Sequence, residues 1–248
     1  NLIKKNNIKS KILGNFGNPV LSENISKNEY CILELSSYQL DYSKYLKLDT
    51  ACILNISPDH LERHGTIENY KKIKLKIFKF LNKRGVGFYD KKSLPSLKMS
   101  NNIKSFSSIN KKLLQTILGK KILLTNLDLN NNKLEHRYES FCKIKNFNFI
   151  NDSKSTNFDS TRYALKMSSN NILILGGQLK MGDNFFLKDL RKKIVKIYLF
   201  GKNNSALELS LRKQKIKFTN FIDLKSLLKH LLINDFKKLL DKRKNFTI

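Results

Sequence analysis

Short apolar runs alternate with stretches of helical spacing through the second half of the sequence. The predicted strands are 172–175, 196–200, 217–221 and 245–248. The predicted helices are 160–167, 187–194, 206–214 and 224–232. Strands that alternate with helices pair in parallel, because each helix returns the chain to the same end of the sheet. The sequence therefore predicts an α/β fold with mostly parallel sheets, and a Rossmann-like arrangement in this half.

The first half contains two similar apolar runs, each associated with polar side chains. The run 30–35 includes Glu34 near its end, and the run 50–56 leads into Asp59 and His60. The carboxyl ends of parallel strands are the usual ligand sites of an open α/β sheet. A carboxylate and an imidazole at this edge can hold a divalent cation beside a phosphate. The same residues are also consistent with a salt bridge or helix cap at Glu34 and an ordinary loop histidine at His60.

A predicted helix over 67–81 places one lysine on its apolar face. Tyr70, Lys74, Ile77 and Leu81 share this face at helical spacing. A bare ammonium group is costly among apolar side chains. Lys74 therefore either extends its amine to solvent along its stem, or has a depressed pKa or a covalent modification that serves function.

Several further segments match the patterns of strands, loops and phosphate-binding turns. A strand is predicted at 85–89, surface loop with short elements at 91–112, and the strands of a hairpin or ladder at 141–152. The loop 176–183 joins a strand to a helix and carries three glycines and Lys180. Backbone amides at such a junction can bind phosphate, and a lysine adds a positive charge. A tight turn with a surface lysine explains the same pattern equally well.

Composition narrows the class of protein. The formal charge is +28, but the lysines are spread along the whole chain and accompany abundant Asn, Ile, Leu and Phe, a mixture that AT-rich coding produces. Dedicated nucleic-acid binding is therefore the weaker interpretation, since no recognition motif is present. The 3 cysteines show no Cys-x-x-Cys spacing, which favours a reducing cytoplasm over zinc or disulfides. No apolar run approaches the roughly 18 residues of a membrane helix, so no membrane partner is expected.

Several sequence blocks together resemble the Mur ligase family of peptidoglycan synthesis, and within it most closely the members that add D-glutamate. The blocks follow the family's order and are Gly14-Asn15-Phe16-Gly17, Glu34 to Leu40, Asn55 with Asp59 to His64, Tyr70-x-x-x-Lys74, His136 to Glu139, Asn151 to Asn157, and Gly176-Gly177 through Lys180. Any one block is weak evidence. Their common order and near-family spacing make the resemblance specific.

The resemblance implies a set of ligands and roles. The family's substrates would be ATP, UDP-N-acetylmuramoyl-L-alanine and D-glutamate, and its cofactor Mg²⁺. Glu34, His60 and Lys74, the last as a carbamate, would be the catalytic and metal-binding residues. Substrate contacts would come from Asn15, Ser36 and Gln39, and nucleotide or phosphate contacts from Asn151 and Lys180. A monomer is expected.

The resemblance also implies two incomplete domains. Residues 1–162 would be a central ATPase-type domain, and residues 163–248 a Rossmann-like C-terminal domain without its last elements. The family's P-loop would precede Asn1, and its C-terminal blocks would follow Ile248. The family's adenine-contacting His-Asn-x-x-Asn pattern is absent from 109–133. We therefore expect a fragment or reduced form of the ligase, inactive by itself. The alternatives are a sibling ligase that adds another amino acid and a basic polyanion- or RNA-binding module on the same scaffold.

Overall fold

The structure, a computed structural model, describes residues 7–27, 29–95, 97, 100–109, 111–118, 134–240, 242 and 244–248. The chain divides into two compact units, Asn1–Asn132 and Lys133–Ile248. This division differs from the predicted boundary at 162/163, because the hairpin at 139–151 belongs to the same sheet as the later strands. Most of 109–133, the segment whose sequence lacks the adenine-contacting pattern, lies outside the described residues.

The first unit contains two parallel sheets. Its strands are β1 (Ser10–Gly14), β2 (Tyr30–Glu34), β3 (Leu48–Ile53), β4 (Leu81–Asp90) and β5 (Ile103–Phe106). Its helices are α1 (Ser37–Tyr42), α2 (Leu61–His64), α3 (Ile67–Leu75) and α4 (Lys111–Leu118), with 3₁₀ segments at Val20–Ser22 and Lys76–Phe80. One sheet pairs β1 with β2, and the other has the order β3-β4-β5. All of these pairs are parallel.

The predicted helix 67–81 is shorter in the structure. It begins as expected, with the Thr66 hydroxyl accepting a hydrogen bond from the Asn69 amide at 3.1 Å. Helix α3 ends at Leu75, a 3₁₀ segment follows to Phe80, and Leu81 already pairs with Leu48 in the sheet. No loop separates the helical segment from β4. The tighter 3₁₀ turn makes this abrupt change possible. The core of this unit is the cluster Ala51, Ile53, Phe78, Tyr89 and Leu94.

The second unit is built on one six-stranded sheet of order β10-β9-β8-β11-β7-β6. Its strands are β6 (Glu139–Ile144), β7 (Phe147–Asn151), β8 (Asn171–Gly176), β9 (Ile194–Phe200), β10 (Thr219–Phe221) and β11 (Phe246–Thr247). Among the strand pairs of the described residues, only the predicted pair β6–β7 is antiparallel. The prediction of an α/β fold with mostly parallel sheets is confirmed.

Helices cover both faces of this sheet. They are α5 (Phe158–Met167), α6 (Ser205–Lys213), α7 (Leu224–His230) and α8 (Lys237–Leu240), with a 3₁₀ segment at Lys188–Lys193 and a π-helical turn at Leu231–Phe236. Alternate residues of a strand point to opposite faces. Accordingly, Leu173 and Leu175 pack on the core beneath α5 and α6, whereas Ile174 packs on the core beneath α7.

Two predicted helices differ in detail. The segment predicted as a helix at 187–194 is 3₁₀ over Lys188–Lys193, and Ile194 already starts β9. The helix predicted at 224–232 continues past α7 through the π turn into α8. Asp235 lies in this turn, is buried, and bonds the Lys196 ammonium and the Tyr198 hydroxyl. Within the described part of the chain, no helix is long and apolar enough to cross a membrane.

Candidate functional site

The carboxyl ends of β1 and β2 bring Asn15 close to the backbone of Glu34. The Asn15 amide donates to the Glu34 carbonyl at 2.8 Å. Gly14, just before it, has φ +105°, and a Cβ there would lie 2.4 Å from the Glu34 carbonyl oxygen. Only glycine fits this backbone and this close approach without strain. The side chains of Asn15 and Glu34 are exposed, so both are accessible to a ligand.

The predicted substrate contacts Ser36 and Gln39 form a capping box at the start of α1. The Ser36 hydroxyl accepts a hydrogen bond from the Gln39 amide at 3.2 Å, and the Gln39 side-chain oxygen accepts from the Ser36 amide at 2.9 Å. This reciprocal pair satisfies free amides at the first turn of the helix. It leaves the Gln39 Nε2 group outside the box. Ser36 and Gln39 therefore cap helix α1, in addition to the substrate contacts predicted for them.

His60 lies immediately before α2 in a left-handed backbone conformation, with φ 54°. Its Nδ1 atom is 3.5 Å from the Tyr38 hydroxyl and 3.4 Å from a Glu62 carboxylate oxygen. Its Nε2 atom is 3.9 Å from Asp59. The ring is half-buried and packs edge-on against Tyr38 at 5.1 Å between centroids. His60 is therefore held among aromatic and acidic side chains near the end of β3.

A second histidine, His64, is buried between the same elements. Its Nε2 atom lies 2.9 Å from the Ser37 hydroxyl, and its ring is 5.5 Å from that of Tyr70. Burial lowers the pKa of His64 below its usual 6.5, with Asp41 acting in the opposite direction. His64 thus connects the Ser36–Gln39 turn to helix α3. Sequence reasoning quoted it only as part of a motif, since nothing in the pattern shows that it is buried.

Lys74 is half-buried on α3, as the helical spacing predicted. Burial lowers the pKa of its amine below 10.5, and the negative charges of Glu34 and Asp59 partly oppose that shift. The Nζ atom lies 5.6 Å from the centre of the Tyr70 ring, a cation–π distance. Tyr70 is buried, and its burial, with a smaller effect of Asp59, raises the pKa of the phenol to about 12. Burial therefore disfavours the charged form of both groups, whereas the Tyr70 ring and the two carboxylates favour the Lys74 ammonium.

These contacts bring part of the predicted set together. Glu34 ends β2 in one sheet, Asp59 follows β3 of the other, and the charges of both act on Lys74. His60 contacts Tyr38, Asp59 and Glu62. Sequence reasoning did not propose Asp59 as a site residue, although its position next to His60 was a usable signal.

The donor chemistry fits Mg²⁺. The charges of Glu34 and Asp59 both act on Lys74, which as a carbamate would add further oxygen donors of the kind that Mg²⁺ prefers. Among the described residues there is no group of three or more His, Cys, Asp or Glu side chains placed to hold a metal. The predicted metal site consists of Glu34, His60 and the carbamate of Lys74, so only two of its members are of these residue types. The absence of such a group therefore does not test the predicted site.

The second unit brings two further sequence blocks together. The Asn151 amide nitrogen lies 2.9 Å from Nδ1 of His136, and its oxygen accepts from the Ser153 amide at 3.1 Å. Asp152 accepts a hydrogen bond from the Tyr138 amide at 2.8 Å. The turn at 136–139 therefore folds over the end of β7, and Asn151 lies at that end.

Lys180 lies in the loop after β8 and is half-buried. Its backbone amide donates to Asp183 at 3.3 Å, and the other Asp183 oxygen accepts from the Phe158 amide at 3.2 Å. The loop is thereby attached to the first turn of α5. Strands β7 and β8 are both parallel to β11 between them. Asn151 and the loop of Lys180 therefore lie at the same edge of the sheet, as a nucleotide or phosphate site requires.

Comparison with known proteins identifies the family. Residues 12–149 match the family model described as the Mur ligase middle domain. The chain belongs to the Mur ligase family. The match extends into the second compact unit and ends within β7, so the predicted domain boundary at 162/163 stays a prediction.

Curated relatives agree with this assignment. UDP-N-acetylmuramoylalanine--D-glutamate ligase of Francisella tularensis subsp. tularensis (strain FSC 198) is 32% identical, over 84% of this chain and 56% of the relative. The same enzyme of Francisella tularensis subsp. novicida (strain U112) is also 32% identical, over 84% of this chain and 56% of the relative. The chain thus spans about half the length of these relatives.

Solved structures show the same fold. MurF from Acinetobacter baumannii has a TM-score of 0.66 at 14% identity, covering 99% of this chain and 68% of that one. MurF from Thermotoga maritima, in complex with ADP, also has a TM-score of 0.66, at 13% identity, covering 99% and 70%. At this level of identity the likeness concerns fold alone.

Proposed function

We propose that this chain is part of an ATP-dependent ligase that joins D-glutamate to UDP-N-acetylmuramoyl-L-alanine. The proposal is supported by the D-glutamate ligases among its relatives and by the sequence blocks at both sheet edges. ATP would phosphorylate the substrate carboxylate and release ADP. The amine of D-glutamate would then attack the acyl carbon, and phosphate would leave.

The observation that carries the proposal is the environment of Lys74. A lysine reacts with CO₂ through its neutral amine, and burial lowers the pKa of this amine. Carbamylation would replace a positive charge by a negative one beside Glu34 and Asp59. Three neighbouring anions repel one another unless a cation lies between them. The carbamate and a bound divalent cation would therefore stabilise each other.

The other site residues are assigned by motif. Glu34, His60 and the carbamate of Lys74 would hold Mg²⁺, which when bound neutralises charge on the transferring phosphoryl group. Asn15, Ser36 and Gln39 would contact the muramoyl-alanine part of the substrate. Asn151 and Lys180 would bind nucleotide or phosphate at the edge of the second sheet. The cytoplasmic location and the monomeric state stay predictions.

The carbamate can be tested without turnover. We expect ¹³CO₂ to give a carbamate signal that grows on addition of Mg²⁺ and disappears in Lys74→Arg. Lys72→Arg is the matched control, because Lys72 is an exposed lysine on the same helix. A signal that survives Lys74→Arg, or that Mg²⁺ does not change, would contradict the role proposed for this lysine.

The ligase activity is tested in two steps. We expect these 248 residues alone to release no ADP from ATP with UDP-N-acetylmuramoyl-L-alanine, D-glutamate and Mg²⁺, because the P-loop pattern is absent from them. Robust turnover would refute that expectation. A chimaera in which this chain replaces the matched region of the Francisella ligase tests specificity. Incorporation of an amino acid other than D-glutamate would keep the family and refute the substrate.

A further inference from the structure

Ser37 is buried at the start of α1, and its hydroxyl group is paired with a histidine far along the chain. Only 2% of Ser37 is exposed, and a buried hydroxyl without a partner costs free energy. The Nε2 atom of His64 lies 2.9 Å from the Ser37 hydroxyl oxygen. His64 is itself only 7% exposed. The two side chains therefore form a hydrogen bond with little access to water.

Ser37 lies inside the turn that carries two of the predicted substrate contacts. Ser36 comes just before Ser37, Gln39 comes two residues after it, and these neighbours form the capping box of α1. At the other end of the helix, the Lys76 ammonium donates to the Asp41 carbonyl at 2.6 Å. Helix α1 is thus attached at both ends, and the bond of Ser37 fixes the end that carries the Ser36–Gln39 turn.

The backbone of His64 is attached to the start of α3. Its carbonyl oxygen accepts hydrogen bonds from the Thr66 amide at 2.9 Å and from the Asn69 side chain at 3.3 Å. Thr66 is the residue that caps α3. The His64 ring lies 5.5 Å from the ring of Tyr70, and the Lys74 Nζ atom lies 5.6 Å from the same ring. His64 therefore belongs to the helix of Lys74 through its backbone and to α1 through its side chain.

We propose that His64 is a positioning residue of the candidate site. Its hydrogen bond to Ser37 holds the Ser36–Gln39 turn in a fixed position relative to α3 and Lys74. This inference rests on the proposed ligase function, in which the turn contacts the substrate and Lys74 supports the metal. His64 is buried, so it acts through Ser37 and does not touch the substrate itself. Such positioning matters, because a displacement of about 1 Å caused by a mutation far from the reacting atoms can cost about 100-fold in rate.

A set of substitutions separates positioning from the mere filling of space. His64→Phe keeps a ring against Tyr38 and Tyr70 but removes Nε2, and Ser37→Ala removes the other partner of the bond. His64→Gln places a side-chain amide near the position of Nε2, so it keeps a hydrogen-bonding group for Ser37. His230→Phe is the matched control, because this histidine also packs on aromatic rings but lies in the second unit.

The first test uses the chain as it is and needs no substrate. The amides of Ser36 and Gln39 donate the two hydrogen bonds of the capping box, at 2.9 and 3.2 Å. Hydrogen exchange of these amides, followed by NMR, reports on local opening of the turn. We expect His64→Phe and Ser37→Ala to speed exchange at both amides at least about tenfold. His64→Gln should speed it less than His64→Phe does.

A reference amide distinguishes this local effect from a general loss of stability. The Gly87 amide in β4 donates to the Asn102 carbonyl at 2.9 Å and reports on the core of the same unit. We expect its exchange in His64→Phe to change less than that of the turn, because the lost bond belongs to the turn. In His230→Phe the turn should exchange as it does in the wild-type chain.

The second test uses the chimaera with the Francisella ligase. We expect His64→Phe to raise the KM for UDP-N-acetylmuramoyl-L-alanine at least about tenfold and to leave the KM for ATP unchanged. His64→Gln should restore most of the loss. A purely structural role would lower the amount of active enzyme, and therefore kcat, with both KM values unchanged. If the unsubstituted chimaera adds no amino acid, the proposed function fails, and the exchange experiment still decides the role of His64.

Any of three results would refute the positioning role. Exchange at Ser36 and Gln39 is unchanged in His64→Phe, exchange at Gly87 speeds as much as that of the turn, or the substituted chimaera loses kcat with both KM values unchanged. If His64→Phe does not fold, Ser37→Ala decides by the same criteria, because it removes the same hydrogen bond.

Discussion

Replacement of Gly14 by alanine should distort the backbone of the candidate site, and Gly65 provides a matched control. Both glycines have positive φ, +105° and +75°, which costs a non-glycine residue about 1–3 kcal/mol. At Gly14 a Cβ would also lie 2.4 Å from the Glu34 carbonyl oxygen, whereas at Gly65 it would meet nothing within 4 Å. Relief of that overlap requires a shift of about 1 Å, and overpacking of this kind typically costs about 1–3 kcal/mol.

We therefore expect Gly14→Ala to be less stable than Gly65→Ala by about 1–3 kcal/mol. The assay is thermal unfolding followed by circular dichroism, where each kcal/mol lowers Tm by roughly 2–4 °C. Because the displaced carbonyl belongs to Glu34, Gly14→Ala should also reduce the Mg²⁺-dependent carbamate signal of Lys74, and Gly65→Ala should not. Equal Tm values for the two variants would refute the argument from close approach.

The remaining predictions concern buried polar groups and charge. Lys74→Met should raise Tm at pH 7. Burial lowers the pKa of the amine in the folded state, so the protonated lysine destabilises the folded chain. The gain in Tm should shrink as the pH rises toward 10.5, because the wild-type amine then loses its proton. The Tm of the wild-type chain should fall as the pH drops below 6.5, because the pKa of His64 is lowered in the folded state and the unfolded chain then binds the proton more readily. In His64→Gln the Tm should fall less over the same pH range. Asp235→Ala should destabilise by about 1–3 kcal/mol in urea unfolding, because it leaves the buried Tyr198 hydroxyl without its acceptor, and an unchanged stability would contradict the contact. RNA retention on a filter should fall steeply between low and physiological salt, whereas sequence-selective binding that survives would favour the nucleic-acid interpretation.

Much of the fold was predictable because local patterns agree with tertiary packing. The alternation of apolar runs and helices gave the parallel sheet of the second unit, including β11 at its last residues. The errors occur where tertiary contacts override local spacing. The pairing of Leu81 with Leu48 ends the helical segment before the periodicity does, and the buried Asp235 lies in a π turn that apolar spacing does not indicate.

The sequence alone was enough to indicate the family and to single out Lys74 as a candidate site residue. The order and spacing of short sequence blocks need no coordinates to be recognised, and helical periodicity was enough to place Lys74 among apolar side chains. Tertiary structure alone decided which charges surround that amine. Glu34 and Asp59 come from separate sheets, so no local pattern could pair them. Side chains far apart along the chain interact only after packing sets the distances and the burial on which their charges depend.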